Sequence, residues 1–443
     1  MAAGKMKLHI IQPSHYRSPL NRSLHRTKKR SVVNLTLPYL AALTPKEWDV
    51  TLIDEQLQDV DFAAPVDVVA ITTWTMNSIR AYEIADRFRE RGVKVLMGGP
   101  HMFFHEEEAA THCDAVGAGE GEVIWPLMLR DAAAGSLKKI YRAENPHSLQ
   151  QLPLPRYDLI DLRQYDWFRT YSVQSSRGCP FRCEFCSERL YLGDSYRYRP
   201  TKEVIEEIKH SKAKNVLFAD SNFAGSVSHA MELMEALIPL HVRWSALWSA
   251  CFCRNDEFMD LAKKSGLLHV NIGMESISSE TLASMNKKIN RVSEYGQLLE
   301  NLRKRGISYS LNFIFGWDTD TENVFGSTLD FLFRHKVPAA YFNILMPDKG
   351  TSLYDRMKDA NRLTNIGEMG RWPGDRCFIK PKNFTPETLE KGVRELYTKF
   401  YSYPSMLARL PLPTTMANIA SWVINFSQKK VAQADSMETF DEY

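Results

Sequence analysis

Between residues 7 and 345, short runs of β-branched and apolar residues alternate with stretches whose apolar residues fall at helical spacing. No other feature constrains the fold as strongly. Parallel strands need a crossover of a dozen residues or more, usually a helix, so this alternation specifies α/β layers rather than a sandwich or a bundle. Two series can be separated. In the first, residues 7–12 (KLHIIQ), 49–53 (DVTLI), 66–72 (VDVVAIT), 93–97 and 114–117 read as strands of a doubly wound, Rossmann-like sheet. Between them, Ile79, Tyr82, Ile84, Ala85 and Phe88 mark a helix that stops at Gly92. In the second, residues 171–175, 215–219, 243–246, 268–273, 308–315 and 340–345 alternate with helical patterns, and six such units imply a partial (β/α)6 barrel. Residues 145–155 (NPHSLQQLPLP) lack a pattern and carry proline, as a linker does. Past residue 352 the signal is helical, clearest at 386–400 and 414–426. The expected organisation is a first α/β domain over 1–145, a linker over 146–165, a barrel over 166–355 and a helical carboxy-terminal domain over 356–443.

Composition narrows the class. Lys and Arg number 56 against 53 acids, and a net charge of +3 argues against a dedicated nucleic-acid binder. The first residues hold no apolar signal core, and residues 410–428, the longest uncharged stretch, are too polar to span a membrane. A cytoplasmic location is expected. Seven cysteines in 443 residues do not make a disulfide scaffold.

Three of those cysteines, Cys179, Cys183 and Cys186, lie within eight residues directly after a predicted strand. Thiolates so close in a reduced compartment suit zinc or an iron–sulfur cluster. Structural zinc takes four protein ligands, and no fourth Cys or His stands at nearby ligand spacing. A [4Fe–4S] cluster held by three thiolates keeps one iron open for a small molecule. A zinc scaffold or sensor without catalysis is the competing class. Cys251 and Cys253 form a CxC that reads as apolar filling on a buried strand, and Cys113 and Cys377 stand alone.

The CxxxCxxC loop after the first barrel strand resembles the signature of the radical S-adenosylmethionine superfamily, and Phe185 matches the aromatic which that family places beside adenine. The resemblance implies that Cys179, Cys183 and Cys186 hold a [4Fe–4S] cluster. Its open iron would chelate S-adenosylmethionine, whose reductive cleavage yields a 5′-deoxyadenosyl radical. It further implies cofactor contacts from Asp220, Ser221 and Asn222 after the second strand. Glu275 and Ser276 after the fourth strand, and Phe315 and Gly316 after the fifth, are implied likewise. Each sits at a strand's carboxyl end, where a barrel builds its site. The plainer reading of each acid is a cap on the next helix. Asp318 and Asp348 are further candidates for substrate contact.

Residues 66–76 (VDVVAITTWTM), Gly98-Gly99-Pro100-His101 and residues 117–122 (GAGEGE) resemble the cobalamin-binding-like domain joined to many members of that superfamily. The resemblance implies cobalamin contacts from Thr73, Trp74, Gly98, Gly99 and His101. The Asp-x-His-x-x-Gly loop that ligates cobalt in other cobalamin proteins is absent after the first strand. A basic stretch stands there instead, and residues 1–30 carry eight Lys or Arg and no acid, which reads as a solvated arm. A cofactor phosphate site or a dock for an acidic electron donor such as flavodoxin or ferredoxin is the functional alternative.

The layout implies an enzyme that methylates an unactivated carbon of a small molecule (a natural product, sugar or lipid) with cobalamin as the methyl carrier. The alternative is radical dehydration or deoxygenation, for example of an aminoglycoside diol, or cyclisation, with an empty first domain. The helices beyond residue 372 are expected to close one end of the barrel and shape the substrate pocket. The apolar stretch 406–429 with Lys429 and Lys430 is expected to pack on the barrel rather than on a lipid surface. The acidic last ten residues read as disordered.

Overall fold

The computed structural model describes residues 5–19, 22–374 and 376–433. The acidic tail, residues 434–443, lies outside them. In chain order the first half gives strands β1 (Met6–Gln12), β2 (Arg30–Val33), β3 (Trp48–Asp54), β4 (Val68–Thr72), β5 (Lys94–Gly98), β6 (Ala115–Ala118) and β7 (Ile140–Arg142). All except β2 form one parallel sheet in the order β3-β1-β4-β5-β6-β7. Its middle strands are buried on both faces, β4 along its whole length, which explains their unbroken apolar runs.

The second half supplies β8 (Tyr165–Val173), a short antiparallel ribbon of β9 (Ser176–Arg177) and β10 (Arg197–Tyr198), then β11 (Asn215–Phe218), β12 (Arg243–Ser249), β13 (Leu267–Glu275), β14 (Ser308–Phe315) and β15 (Ala339–Ile344). These make a parallel half-barrel, β15-β14-β13-β12-β11-β8-β2. The connecting helices form where local sequence dictates. Asp256–Lys264 is capped by the Asn255 side chain, which accepts from Phe258 N at 3.0 Å, and it carries acids in its first turn and lysines in its last. Trp244 is fully buried between Phe218 and Phe223, a cluster worth about 2–3 kcal/mol per ring in area alone.

Three expectations are corrected. The basic stretch after β1 is not a solvated arm. Tyr16 and Arg22 bind Glu83, Arg26 reaches Asp59 at 2.6 Å and Arg30 reaches Asp54 at 2.5 Å. His15 and His25 stack inside it, 4.9 Å apart. Its end becomes β2, which pairs with β8 and so extends the barrel sheet from the amino-terminal side. The last helix, Met416–Gln433, closes the barrel at the end away from the strands' carboxyl termini. Ser421 meets Ser308 at the start of β14, and Asn425 donates to Pro338 O just before β15. It therefore packs on the barrel as expected but cannot shape a pocket at the opposite end. Cys251 lies half-buried in the turn after β12 rather than on the strand, while Cys253 is fully buried.

The outer edge of β15 is covered from the same region. The Tyr397 and Tyr401 hydroxyls accept from Phe342 N and Ala340 N, both at 3.1 Å, which keeps those edge amides from another chain. Among the described residues no helix is long and apolar enough to cross a membrane.

Candidate active site

The cysteine loop leaves β8 under tight control. Asp220, at the end of β11, turns inward and accepts from Ser175 N at 2.7 Å, Ser176 N at 3.1 Å and the Ser175 hydroxyl. Burial raises its carboxyl in spite of those bonds. Gly178 follows with φ +85°, and a Cβ there would stand 2.1 Å from Ser195 O, so only glycine fits. Cys179 N then binds Gly193 O, Glu184 N binds Met285 O, and Leu353 N binds Glu184 O, which fastens the loop on both sides. Burial pushes the Cys183 and Cys186 thiols up, Cys186 to about 12, so both keep their protons until a metal displaces them. The three sulfurs do not gather within 4.8 Å of one another.

Around the loop the strand ends converge. Glu275 closes β13 with φ +66°, a costly conformation for a non-glycine residue, and pairs with the buried Lys287. Burial would lower the Lys287 ammonium, but the Glu275 carboxylate holds it high. Lys287 lies 5.9 Å from the Phe185 ring centre, and Phe185 meets Trp317 edge to face at 6.1 Å. Gly316, at φ +105°, and Trp317 donate their amides to Asp320 at 2.9 and 3.1 Å. Burial pushes Asp320 up to about 6. Phe315 is packed in the core, and the Ser276 hydroxyl accepts from Ser278 N at 3.1 Å. Asn222 donates to the Tyr196 hydroxyl at 2.8 Å, and that hydroxyl lies 3.9 Å from Cys179 Sγ. Ser221 is left with a buried hydroxyl that has no partner. Asp318 is engaged by the Arg362 fork at 2.7 and 2.9 Å, and Asp348 accepts from Ser187 at 2.9 Å. Lys287 escaped the sequence reading, since nothing in its turn marks a lysine as buried.

A cavity of about 520 Å³ lies between the carboxyl ends of β4, β5 and β6 and those of β8 and β11. Ser172, Gln174, Ala219 and Ser221 form its barrel wall. Trp74, Gly98 and Gly99 form the other, and an apolar slot runs down beside Gly117 to Ile124, Trp125 and Met128. A Cβ on Gly117 would stand 2.9 Å from Ile124 Cδ1, and one on Gly99 (φ +101°) 2.7 Å from the Thr73 backbone. Thr73 lies behind this wall with an unpartnered hydroxyl. His101 is behind it too. Its ring binds the Tyr82 hydroxyl at 2.9 Å and Thr75 at 3.2 Å and stacks on His105. Burial pushes His101 down to about 2, so it is neutral. His101, His105 and Glu108 offer ligand atoms within 4.8 Å, but Arg371 grips Glu108 at 2.6 Å and its charge opposes a cation there.

Comparison with known proteins agrees with this geometry. The family model described as Radical SAM superfamily matches residues 173–332, and the B12 binding domain model matches residues 27–127. The chain is 31% identical over 420 residues to bacteriochlorophyllide d C-12(1)-methyltransferase of Chlorobaculum tepidum, covering 92% of this chain and 90% of that protein. It is 27% identical over 430 residues to the C-8(2)-methyltransferase of the same organism, covering 93% and 95%. The solved structure of the cobalamin-dependent S-adenosylmethionine radical enzyme OxsB with aqua-cobalamin bound shares the fold. Its TM-score is 0.69 at 15% identity, covering 98% of this chain and 74% of that one.

The cofactors these relationships imply fit the residues present. Three thiols on a fastened loop suit the cluster. The glycine-walled slot and the unpartnered Ser221 hydroxyl suit a large polar-rimmed ring such as cobalamin. His15, the first histidine after β1, is stacked on His25 and does not line the cavity.

Proposed function

The chain belongs to the radical S-adenosylmethionine superfamily, in the class that carries a B12-binding domain, and on that premise we propose that it methylates an unactivated carbon of a small, largely apolar molecule. One observation carries the reading: a single cavity is walled by the strand ends of both sheets, so a carrier lodged in the first faces the barrel mouth of the second. The methyltransferase names of the two relatives support the same reaction class. When bound, the cluster and S-adenosylmethionine would supply hydrogen-abstracting radical chemistry, and cobalamin would supply the methyl group.

The protein's own residues do the positioning. Cys179, Cys183 and Cys186 present the thiolates, with Tyr196 and Asn222 bracing the first of them. Phe185, Trp317 and the backbone at Gly316 form the adenine side, and the Glu275–Lys287 pair sets the polar side next to Cys183. Trp74, 55% exposed on the cavity wall, offers an apolar face to the incoming substrate. The electron comes from an outside donor of the flavodoxin or ferredoxin type.

The test is anaerobic reconstitution with iron, sulfide and hydroxocobalamin, followed by turnover with bacteriochlorophyllide d as the probe substrate. Methylation predicts S-adenosylhomocysteine and 5′-deoxyadenosine in equal amounts with a methylated product. 5′-Deoxyadenosine alone, with no cobalamin retained on desalting, would replace methylation by dehydration or ring closure.

A further inference from the structure

Glu120 and Glu122 flank Gly121 at the start of the helix Gly121–Ala133, in the first half of the molecule. Their carboxylates do not face solvent. Arg177, in β9 and two residues before Cys179, places one guanidinium nitrogen 2.9 Å from Glu120 Oε1 and the other 2.6 Å from Glu122 Oε1. Its Nε donates to Gln174 at 2.6 Å. Arg197, its partner in the ribbon, donates to Glu120 at 2.8 and 3.0 Å and to Leu192 O at 2.7 Å. Tyr39 donates its hydroxyl to Glu122 at 2.7 Å. Two acids from the first half of the molecule thus meet two arginines from the β9–β10 ribbon of the second, and the Arg177, Glu120 and Glu122 side chains are at most 10% exposed. Burial works against the Glu122 charge, but Arg177 overrides it and holds the carboxyl down to about 2.

The network has a place as well as a charge balance. Tyr39, Glu120, Glu122, Gln174 and Arg177 all line the shared cavity. On its other side Arg177 is joined to Gly178, whose left-handed conformation leaves no room for adjustment. A shift of the acids would therefore move the backbone that presents Cys179. Buried ion pairs contribute little to stability against an apolar replacement, and their best-attested use is to fix register.

We infer that Arg177 is a positioning residue, through which the wall of the cobalamin-type cavity fixes the loop that presents the cluster thiolates. The inference rests on the proposed cluster and cavity assignments. It makes the two cofactor sites one mechanical unit.

The experiment uses full-length protein reconstituted with iron and sulfide, with four variants beside the parent: Arg177→Gln, Arg177→Lys, Glu122→Gln and Cys183→Ala. Arg142→Gln removes the exposed pair with Glu106 and serves as the control. Iron content, the electron paramagnetic resonance spectrum of the reduced cluster with and without S-adenosylmethionine, and hydroxocobalamin binding are read. Arg177→Gln is expected to keep the cluster iron, alter the resonance change on adding S-adenosylmethionine, and weaken hydroxocobalamin binding roughly tenfold, as loss of a ligand-orienting partner does. Glu122→Gln should move both readouts in the same direction, and Arg177→Lys should rescue neither, because lysine lacks the fork. Parent-like spectra and binding in Arg177→Gln, or full rescue by Arg177→Lys, would overturn the inference. Should Arg177→Gln fail to fold, Glu122→Gln decides the matter on the same readouts. Retention of the cluster in Cys183→Ala would instead overturn the cluster assignment itself.

Discussion

The cysteine loop and the slot beside Gly117 prepare for their cofactors by opposite means. The loop is built of commitments: Asp220 on the Ser175 and Ser176 amides, Gly178 pressed against Ser195 O, Glu184 bonded on both its N–H and its carbonyl. The slot is built of an omission, Gly117, where a Cβ would press on Ile124 and Met128 along its length. A site made of donors is sensitive to losing an atom. One made of clearance is sensitive to gaining one.

The largest effect should come from Cys183→Ala. It is expected to abolish the visible absorbance of the cluster and to drop S-adenosylmethionine cleavage to background, while hydroxocobalamin binding stays within a few-fold. Lys287→Met comes next, because it leaves Glu275 buried without its partner. A loss of about 3–5 kcal/mol in unfolding free energy is expected, largely recovered in the double variant with Glu275→Gln. Full additivity of the two changes in denaturant titrations would show that the pair is not coupled. On the other side of the comparison, Gly117→Leu should fill the slot. Overpacking of about 1–3 kcal/mol predicts hydroxocobalamin binding weakened by roughly 10- to 100-fold with cluster absorbance intact. Equal damage to both cofactors would break the contrast.

The smallest effect separates the regions by acid. Burial depresses His101 to about 2 and His105 to about 4, so the unfolded chain binds more protons than the folded one once pH drops below about 6.5. The first sheet's helices should therefore lose stability as pH falls. Asp320 is raised to about 6, so its contribution is fully present below the unfolded value near 4 and is lost as pH rises through 6. Hydrogen exchange between about pH 7 and pH 5 should show protection falling over residues 94–118 while the 316–320 turn holds or gains. Faster exchange in the turn alone would reverse the assignment.

Much of this was legible in the sequence because some signals are local. Ligand count and spacing single out Cys179, Cys183 and Cys186, and β-branched runs mark the principal strands of both sheets. Asp220, Glu275 and Gly316 do stand at the expected strand ends, although Asp220 proves to hold the loop and Asp318 to hold Arg362. What was missed depends on distant partners. Arg30 reads as the end of a basic run, and nothing marks residues 30–33 as a strand until β8, more than 130 positions later, gives them a neighbour. Gly119-Glu120-Gly121-Glu122 reads only as part of a cobalamin-binding-like motif until Arg177 is brought against it. His101, in Gly98-Gly99-Pro100-His101, reads as a cobalamin contact through the resemblance, yet its bond to Tyr82 and its stacking on His105 turn it to the far side of the cavity wall.

The strand β2 also bears on how such a molecule can be divided or assembled. It precedes most of the first sheet in the chain yet completes the second, so a cut in the 145–155 stretch would yield a barrel with β8 bare and an amino-terminal fragment carrying an unmatched strand. During synthesis those four residues must wait until β8 has emerged. The halves are consequently poor candidates for exchange with other proteins as separate modules, and co-expressed fragments should find each other through that ladder of hydrogen bonds together with the Glu120–Arg177 network.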